Sequence, residues 1–372
     1  MSQRENVNPR REQDHRKNSR RYQKRAAARR RRNTIFIVEI VLLLILAVVL
    51  FFVSKLSKIE KTKLDMDKIE VNEDISQESQ KIMKGYQTIA MFGLDNRSNG
   101  NLSQGRSDVI MLANINNDTK EVKLVSVYRD TYFDTGDGIF QKCNAAYAKG
   151  GPEQAISMLN VNLDLNITDY VTVDFNSIIE CVDLLGGVDM EITDDEASLM
   201  TGYIRELNEL TGNKAENLTQ GGTYTLNGVQ ACAYARIRYG GGDDYRRTER
   251  QRTVLTAMVK KAQQSDLTTV NKLINEVCGD IQTSFSNAEL LALASQVFQY
   301  SIGDTTGFPF TKTTKVLSKK TGDVVIPCDL SDNVKELHIF LYEDSAYTAS
   351  DTVKQNSEKI VSDTGFKSGD GH

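Results

Sequence analysis

Soft metal ligands are scarce in this 372-residue chain, which has three histidines and five cysteines. Cys143, Cys181, Cys232, Cys278 and Cys328 are odd in number and scattered, with no CxxC spacing and no histidine pairing. That excludes a Cys/His zinc site and gives no sign of a disulfide framework. Cys181 in IIECVDLL and Cys232 in VQACAYA lie in apolar runs and read as buried free thiols. An overall positive charge is also missing, but the net charge of −4 conceals a division. Residues 1–33 hold 13 Lys and Arg against 3 Asp and Glu, a net +10, while the remainder holds 33 against 47, a net −14. The chain therefore has a basic tail and an acidic body.

Between them runs IFIVEIVLLLILAVVLFFV, Ile35–Val53, nineteen residues with one charge. At ~1.5 Å per residue it spans roughly the ~30 Å hydrocarbon core of a bilayer, and it reads as a transmembrane helix. Glu39 sits one turn in from the basic end, within reach of the headgroup layer. A cleaved signal peptide is the alternative, but the basic region is long and SKLSKIEKT offers no small-x-small cleavage site. The basic excess before the span, against Lys55, Lys58, Lys61 and Lys63 after it, places the N-terminus in the cytoplasm and the rest outside. RRYQKRAAARRRR is compatible with nucleic-acid binding, but topology and anionic lipid headgroups explain it more simply. No nucleic-acid partner is expected. The expected division is a basic cytoplasmic tail (1–33), a transmembrane helix (34–54), an extracellular stalk (55–85), a folded extracellular domain (86–348, its motif core 86–265) and a disordered tail (349–372).

Within the body, YQTIAMFGLD and SDVIMLANINND read as strands, and EVKLVSVYRDTYF returns as a hairpin arm after NNDTK. CNAAYAKGGPEQAISMLNVNLD reads as a helix broken at Gly150-Gly151-Pro152, and DYVTVDF as a strand. NSIIECVDLLGG reads as a helix capped by Asn176 and stopped by a double glycine. Alternating strands and helices predict an α/β fold, a central sheet covered by helices. Residues 189–228 read as a polar surface excursion with one short helix, and GDVVIPCDL and VKELHIFLY as strands.

The chemistry concentrates in GLDNRS, GRSDVI, SVYRDT and YARIRYGGGDDYRRTERQ, each placing charges where a strand meets a loop. Tyr234–Arg252 alone holds six arginines. If YARIR is extended, Arg236 and Arg238 share a face and need an anion between them, since guanidinium forks bind phosphate bidentately. RRTERQRTVLTAMVKKAQQ reads as a helix whose apolar stripe, Val254, Leu255, Met258 and Ala262, continues backwards through Gln251 and Arg247, so both point inward. From spacing alone, Asp95 and Asp108 read more readily as turn aspartates and Arg106 and Arg129 as their surface ion-pair partners than as a catalytic set, and DDYRRTER is equally compatible with a solvated helix start.

Together, MFGLDNRS, GRSDVIML, SVYRDTY, KCNAAYAKGG, DYVTVDF, LLGGVDMEI and LNGVQACAYARIRYGGGDDYRRTERQR resemble the LytR-CpsA-Psr family of Gram-positive envelope proteins over about residues 86–265. The resemblance implies a single α-β-α sandwich with a mixed central sheet, binding a polyprenyl pyrophosphate with its tail in an apolar tunnel and its head on arginines and Mg²⁺, with Mn²⁺ as substitute. It implies transfer of an anionic glycopolymer, wall teichoic acid or capsule, from the undecaprenyl carrier to the 6-hydroxyl of N-acetylmuramic acid in peptidoglycan. Carried over by motif, Asp95 and Asp108 are magnesium ligands, and Arg106, Arg129, Arg236, Arg238, Arg247 and Gln251 hold the pyrophosphate. Asp244 is the general base, and Lys142 or Asn144 adds a headgroup contact. The doublets Asp243-Asp244 and Arg246-Arg247 leave the register open by one residue. A polyprenyl pyrophosphatase and a non-catalytic regulator or scaffold of envelope assembly are the alternatives, although no helix-turn-helix fits the cytoplasmic tail.

Overall fold

A computed structural model describes residues 60–61, 64–94, 102, 105–238, 244–266, 268–269, 272–273 and 281–371. In chain order, β1 (Glu60–Lys61) and α1 (Gln77–Met83) lead into β2 (Tyr86–Leu94), β3 (Ser107–Asn116) and β4 (Glu121–Val127). Then come β5 (Tyr132–Asp134), β6 (Phe140–Lys142), α2 (Ala145–Leu163), β7 (Asp169–Asp174), α3 (Phe175–Leu184), β8 (Val188–Ile192), α4 (Asp194–Thr211) and β9 (Gly222–Leu226). They are followed by α5 (Gly228–Arg236), α6 (Asp244–Gln264), β10 (Ile281–Thr283), α7 (Asn287–Ser295) and β11 (Ser301–Phe308). Last are β12 (Lys312–Ser318), β13 (Gly322–Pro327), α8 (Leu330–Tyr342) and α9 (Asp351–Thr364).

The main sheet has seven strands in the order β1-β10-β7-β2-β3-β4-β11. It is mixed: β2 runs parallel to β7 and antiparallel to β3, β3 antiparallel to β4, and β4 parallel to β11. The period of two along β2 and β3 explains the layering. Ala90, Phe92, Leu94, Ile110 and Leu112 enter the core shared with α2, α8 and α9, while Ile89, Met111, Ala113 and Ile115 enter a second core with Phe285 and Leu255. Both faces are covered, so the strands are apolar on both sides and the expected α-β-α sandwich follows.

The helix α2 breaks where expected, at Gly150 and at Gly151 (φ 65°, ψ −152°), ahead of Pro152. Other expectations are corrected. Asp174 rather than Asn176 caps α3, its Oδ1 accepting from the Ser177 amide at 2.9 Å. VKELHIFLY lies within the helix α8, because its buried residues Val334, Leu337, His338, Leu341 and Tyr342 recur every three or four positions, not every two. Residues 189–228 are no mere excursion: Met190, Ile192, Met200, Ile204 and Leu207 build a third core with α3, α5 and α6. The expected disordered tail folds as α9, capped by Ser350 and closed by Gly365, with Val353 and Ile360 fully buried. The expected stalk is folded against the body from residue 64 onwards: Ile69 and Ile75 are buried, and Asn72 Nδ2 donates to Val161 O at 3.1 Å.

The expected transmembrane segment and basic tail lie outside the described residues. Among the described residues, no helix is long and apolar enough to cross a membrane.

Candidate functional site

The C-terminal ends of β2, β7 and β4 and the start of β3 lie at one end of the sheet, where open α/β sheets commonly bind ligands. Asp108 stands at the start of β3 and Arg129 in the loop after β4. Arg129 Nη1 donates to Asp108 Oδ1 at 2.7 Å, and its Nε lies 3.8 Å from both Asp130 Oδ2 and Asp244 Oδ1. Burial opposes the charge on Arg129, but Asp108, Asp244 and Asp130 outweigh it and raise the pKa.

The second cluster comes from α5 and α6. YARIR is not a strand. A capping box, Asn227 with Gln230, starts α5, and Gly228 lets the helix press against α3, since a Cβ there would meet Ile179 O at 2.1 Å. Arg236 is the last helical residue, and the buried Ile237 turns the chain out so that Arg238 reaches the same cavity. The Arg236 guanidinium sits 5.2 Å from the Phe175 ring and 5.8 Å from that of Tyr203, with Glu206 Oε1 at 3.1 Å.

On α6, the inward direction expected for Arg247 and Gln251 is what the structure has. Arg247 is 3% exposed and its Nη2 lies 2.8 Å from Asp244 Oδ1, whereas Arg246 is exposed. Burial pushes the Arg247 pKa down to about 10; Asp244 and, less strongly, Asp108 oppose the shift, while Arg129 and Arg238 add like-charge repulsion. It remains protonated at neutral pH. Arg250, also buried, instead ties α6 to α4 through Glu196 Oε1 at 3.1 Å.

These side chains enclose a cavity of about 340 Å³ lined by Asp108, Arg129, Arg236, Arg238, Arg247 and Gln251, together with Val109, Phe175 and Tyr203. Arg129 Nε, Arg247 Nε, Gln251 Oε1 and Asp244 Oδ2 are buried without a hydrogen-bond partner. The first three belong to residues that line the cavity, and Asp244 contacts two of these, Arg129 and Arg247, which marks the space as a place for a polar ligand. Against it lies an apolar cavity of about 270 Å³, lined by residues such as Met91, Val173, Ala235, Val254 and Met258. The two share Val109, Phe175 and Gln251.

Of the other expected site residues, Arg106 is exposed before β3 and does not line the polar cavity. Lys142 pairs with Asp130 Oδ1 at 3.1 Å, one carboxylate removed from Arg129, and lies outside the lining. Asn144 is buried and donates its backbone N–H to Arg129 O. Asp95 and Asp243 lie outside the described residues. No group of three or more metal-binding side chains gathers among the described residues. Phe175 and Tyr203 were not legible as site residues; each became one through the fold of α3 and α4.

Residues 46–315 match the model of the LytR_cpsA_psr family. The chain belongs to this family. Family members similar to it include the polyisoprenyl-teichoic acid–peptidoglycan teichoic acid transferase TagU of Enterococcus faecalis, 30% identical over 210 residues, 56% of this chain and 64% of that protein. The Bacillus subtilis transferase TagV is 30% identical over 195 residues, 51% of this chain and 48% of TagV. The biofilm regulatory protein A of Streptococcus mutans is 31% identical over 208 residues, 53% of this chain and 49% of that protein. The chain thus spans less than two thirds of the length of each of these relatives. The crystal structure of B. subtilis TagV superposes with a TM-score of 0.55 at 25% identity, covering 72% of this chain and 99% of TagV. TagT bound to LI-WTA shares the fold, with a TM-score of 0.54 at 19% identity over 82% of this chain and 99% of TagT.

Proposed function

We propose that this LytR_cpsA_psr protein is a membrane-anchored phosphotransferase. It moves an anionic glycopolymer of the wall teichoic acid or capsular type from an undecaprenyl pyrophosphate carrier to peptidoglycan. The carrying observation is the junction of the two cavities at Val109, Phe175 and Gln251, one lined by arginines and the other apolar. A ligand with a doubly anionic head and a hydrocarbon tail matches both, and relatives named as teichoic acid transferases support the reading.

Phosphoryl transfer asks a protein chiefly to position reactants and neutralise charge. Arg129, Arg236, Arg238 and Arg247 would grip the pyrophosphate oxygens. An acceptor hydroxyl oxygen then forms a bond to the polymer-bearing phosphorus, the bond from that phosphorus to the bridging oxygen breaks, and polyprenyl phosphate leaves. Asp244 Oδ2, buried and unpartnered, is available to take the hydroxyl proton. Asp108 Oδ2 accepts no hydrogen bond among the described residues while Oδ1 takes that of Arg129, which leaves one hard oxygen donor uncommitted on a residue that lines the cavity. That fits Mg²⁺, or Mn²⁺, held by Asp108 with Asp95, since such ions take one or two carboxylates alongside phosphate and water. The ion would supply charge neutralisation on the phosphate oxygens. Ile35–Val53 as anchor, with the N-terminus cytoplasmic, would keep the domain beside its membrane-dissolved donor.

The test incubates the full chain in detergent with a polyprenyl-pyrophosphate-linked polymer, with Mg²⁺ or chelator, and with or without peptidoglycan fragments. A glycan-linked product that needs metal and is lost in Asp108→Asn and Arg238→Ala is expected. Cleavage to free phosphate regardless of acceptor would make it a pyrophosphatase, and binding without cleavage would remove catalysis altogether.

A further inference from the structure

Next to Asp244 but outside the polar cavity's lining stands a second group of polar side chains. Tyr245, the next residue on α6, meets Tyr128 edge to face, with centroids 4.6 Å apart. Lys312 Nζ lies 4.8 Å from the Tyr245 ring centroid and 5.5 Å from that of Tyr128. Arg252, two turns along α6 from Tyr245, is 8% exposed, with Nε and Nη1 buried and without partners. Its charge acts on Tyr128, favouring the ionised phenol, although burial still raises that pKa.

Position follows from the fold. The β12–β13 hairpin is hooked to the loop after Arg129, with Val325 N donating to Asp130 O at 2.9 Å and Val325 bridging Thr131. Lys312, paired with Pro327 at the hairpin's root, is thereby carried to the tyrosines. Its only hydrogen bond among the described residues goes to Phe310 O at 3.2 Å, and no carboxylate among them pairs with it or with Arg252. Burial lowers the Lys312 pKa. Two partly desolvated cations with no carboxylate in direct ion-pair contact are costly; Glu249 acts on Arg252 from farther off, and ring quadrupoles offset only part of that cost. Such a pair is suited to an incoming anion.

We infer that Lys312, seated on Tyr128 and Tyr245, binds a free carboxylate on the peptide that the acceptor glycan carries. The acceptor thus enters beside Asp244 with its hydroxyl directed at the free Oδ2. This rests on the transferase reading above, and it makes Lys312 a residue that selects and positions the acceptor.

The test is a calorimetric titration of the full chain in detergent micelles with a disaccharide-peptide fragment of peptidoglycan, carboxylates free, and with the same fragment amidated. The wild type is expected to prefer the acid form by about tenfold, the scale of one hydrogen-bonded charge contact. Lys312→Met should abolish that preference and Lys312→Arg retain it, while Lys320→Met, at an exposed position of the same hairpin, should leave it intact. Equal binding of both forms by the wild type, binding of neither, or a preference that survives in Lys312→Met would overturn the inference. Binding is read without turnover. A chain that discriminates the acid form but never cleaves the carrier refutes the transferase reading and leaves a carboxylate site standing.

Discussion

Arg247 Nη2 lies 2.8 Å from Asp244 Oδ1, one helical turn back along α6, and only 4% of the Arg247 side chain is exposed. The contact holds one carboxylate oxygen and leaves the other, Oδ2, buried and unpartnered. It also leaves Arg247 the most desolvated cation of the cavity, so an anion bound there gains more from Arg247 than from the exposed Arg238.

Asp244→Asn keeps the shape of the pair and removes the proposed base. Polymer transfer should fall about 10²- to 10⁴-fold, the usual worth of a positioned general base, with little change in carrier affinity. Arg247→Lys should weaken carrier binding as well, because an ammonium cannot reproduce the fork. Separate measurements of KM and kcat distinguish the two; equal effects on both parameters in both variants would contradict the assignment.

Ala235 faces the apolar cavity from α5. Ala235→Phe should fill part of it and cost a long-chain polyprenyl pyrophosphate about 1–3 kcal/mol of affinity, while a two-unit analogue, with little hydrocarbon to bury, loses less. Competition binding with the two chain lengths checks this. Equal losses would place the tail elsewhere.

Stability should fall on acidification because of His338. Its Nε2 must donate to Leu163 O, 3.0 Å away, so Nδ1 is bare, buried and without an acceptor for a further proton. Burial lowers its pKa from the ordinary 6.5, with the Leu163 carbonyl, Asp164 and Asp344 opposing the shift. The unfolded chain therefore takes up a proton first as pH drops below 6.5. Stability is full above that value and declines below it by at most about 1.4 kcal/mol per pH unit for this one group. His338→Phe should lower the melting temperature at neutral pH, yet narrow the difference between pH 7.5 and 5.5. An unchanged difference would show that other groups carry the acid sensitivity.

Ile360→Ala in α9 should cost about 2–5 kcal/mol, because the side chain is 1% exposed in the core shared with the main sheet. Chemical denaturation of the full chain measures it. A loss under about 0.5 kcal/mol, typical of surface sites, would mean that α9 is dispensable.

Much of this was decided locally. The period-two runs of β2, β3 and β4, the Gly-Gly-Pro break in α2 and the inward heading of Arg247 and Gln251 are all consequences of near-neighbour geometry, and a sequence carries that directly. Where the local signal was short or mixed, packing chose. Val334 to Tyr342 alternates enough to suggest a strand, but the sheet face it covers demands a helix, and the polar α9 is held only because Val353 and Ile360 find a core. For the site, the arginine motifs were legible as charge without location. Tertiary structure put Arg236 on a helix end over Phe175 and Tyr203, sent Arg250 to Glu196, and left Lys142 with Asp130. The physical reason is that a charge's partner, unlike its helix or strand, depends on which distant segment the core brings within a few ångströms.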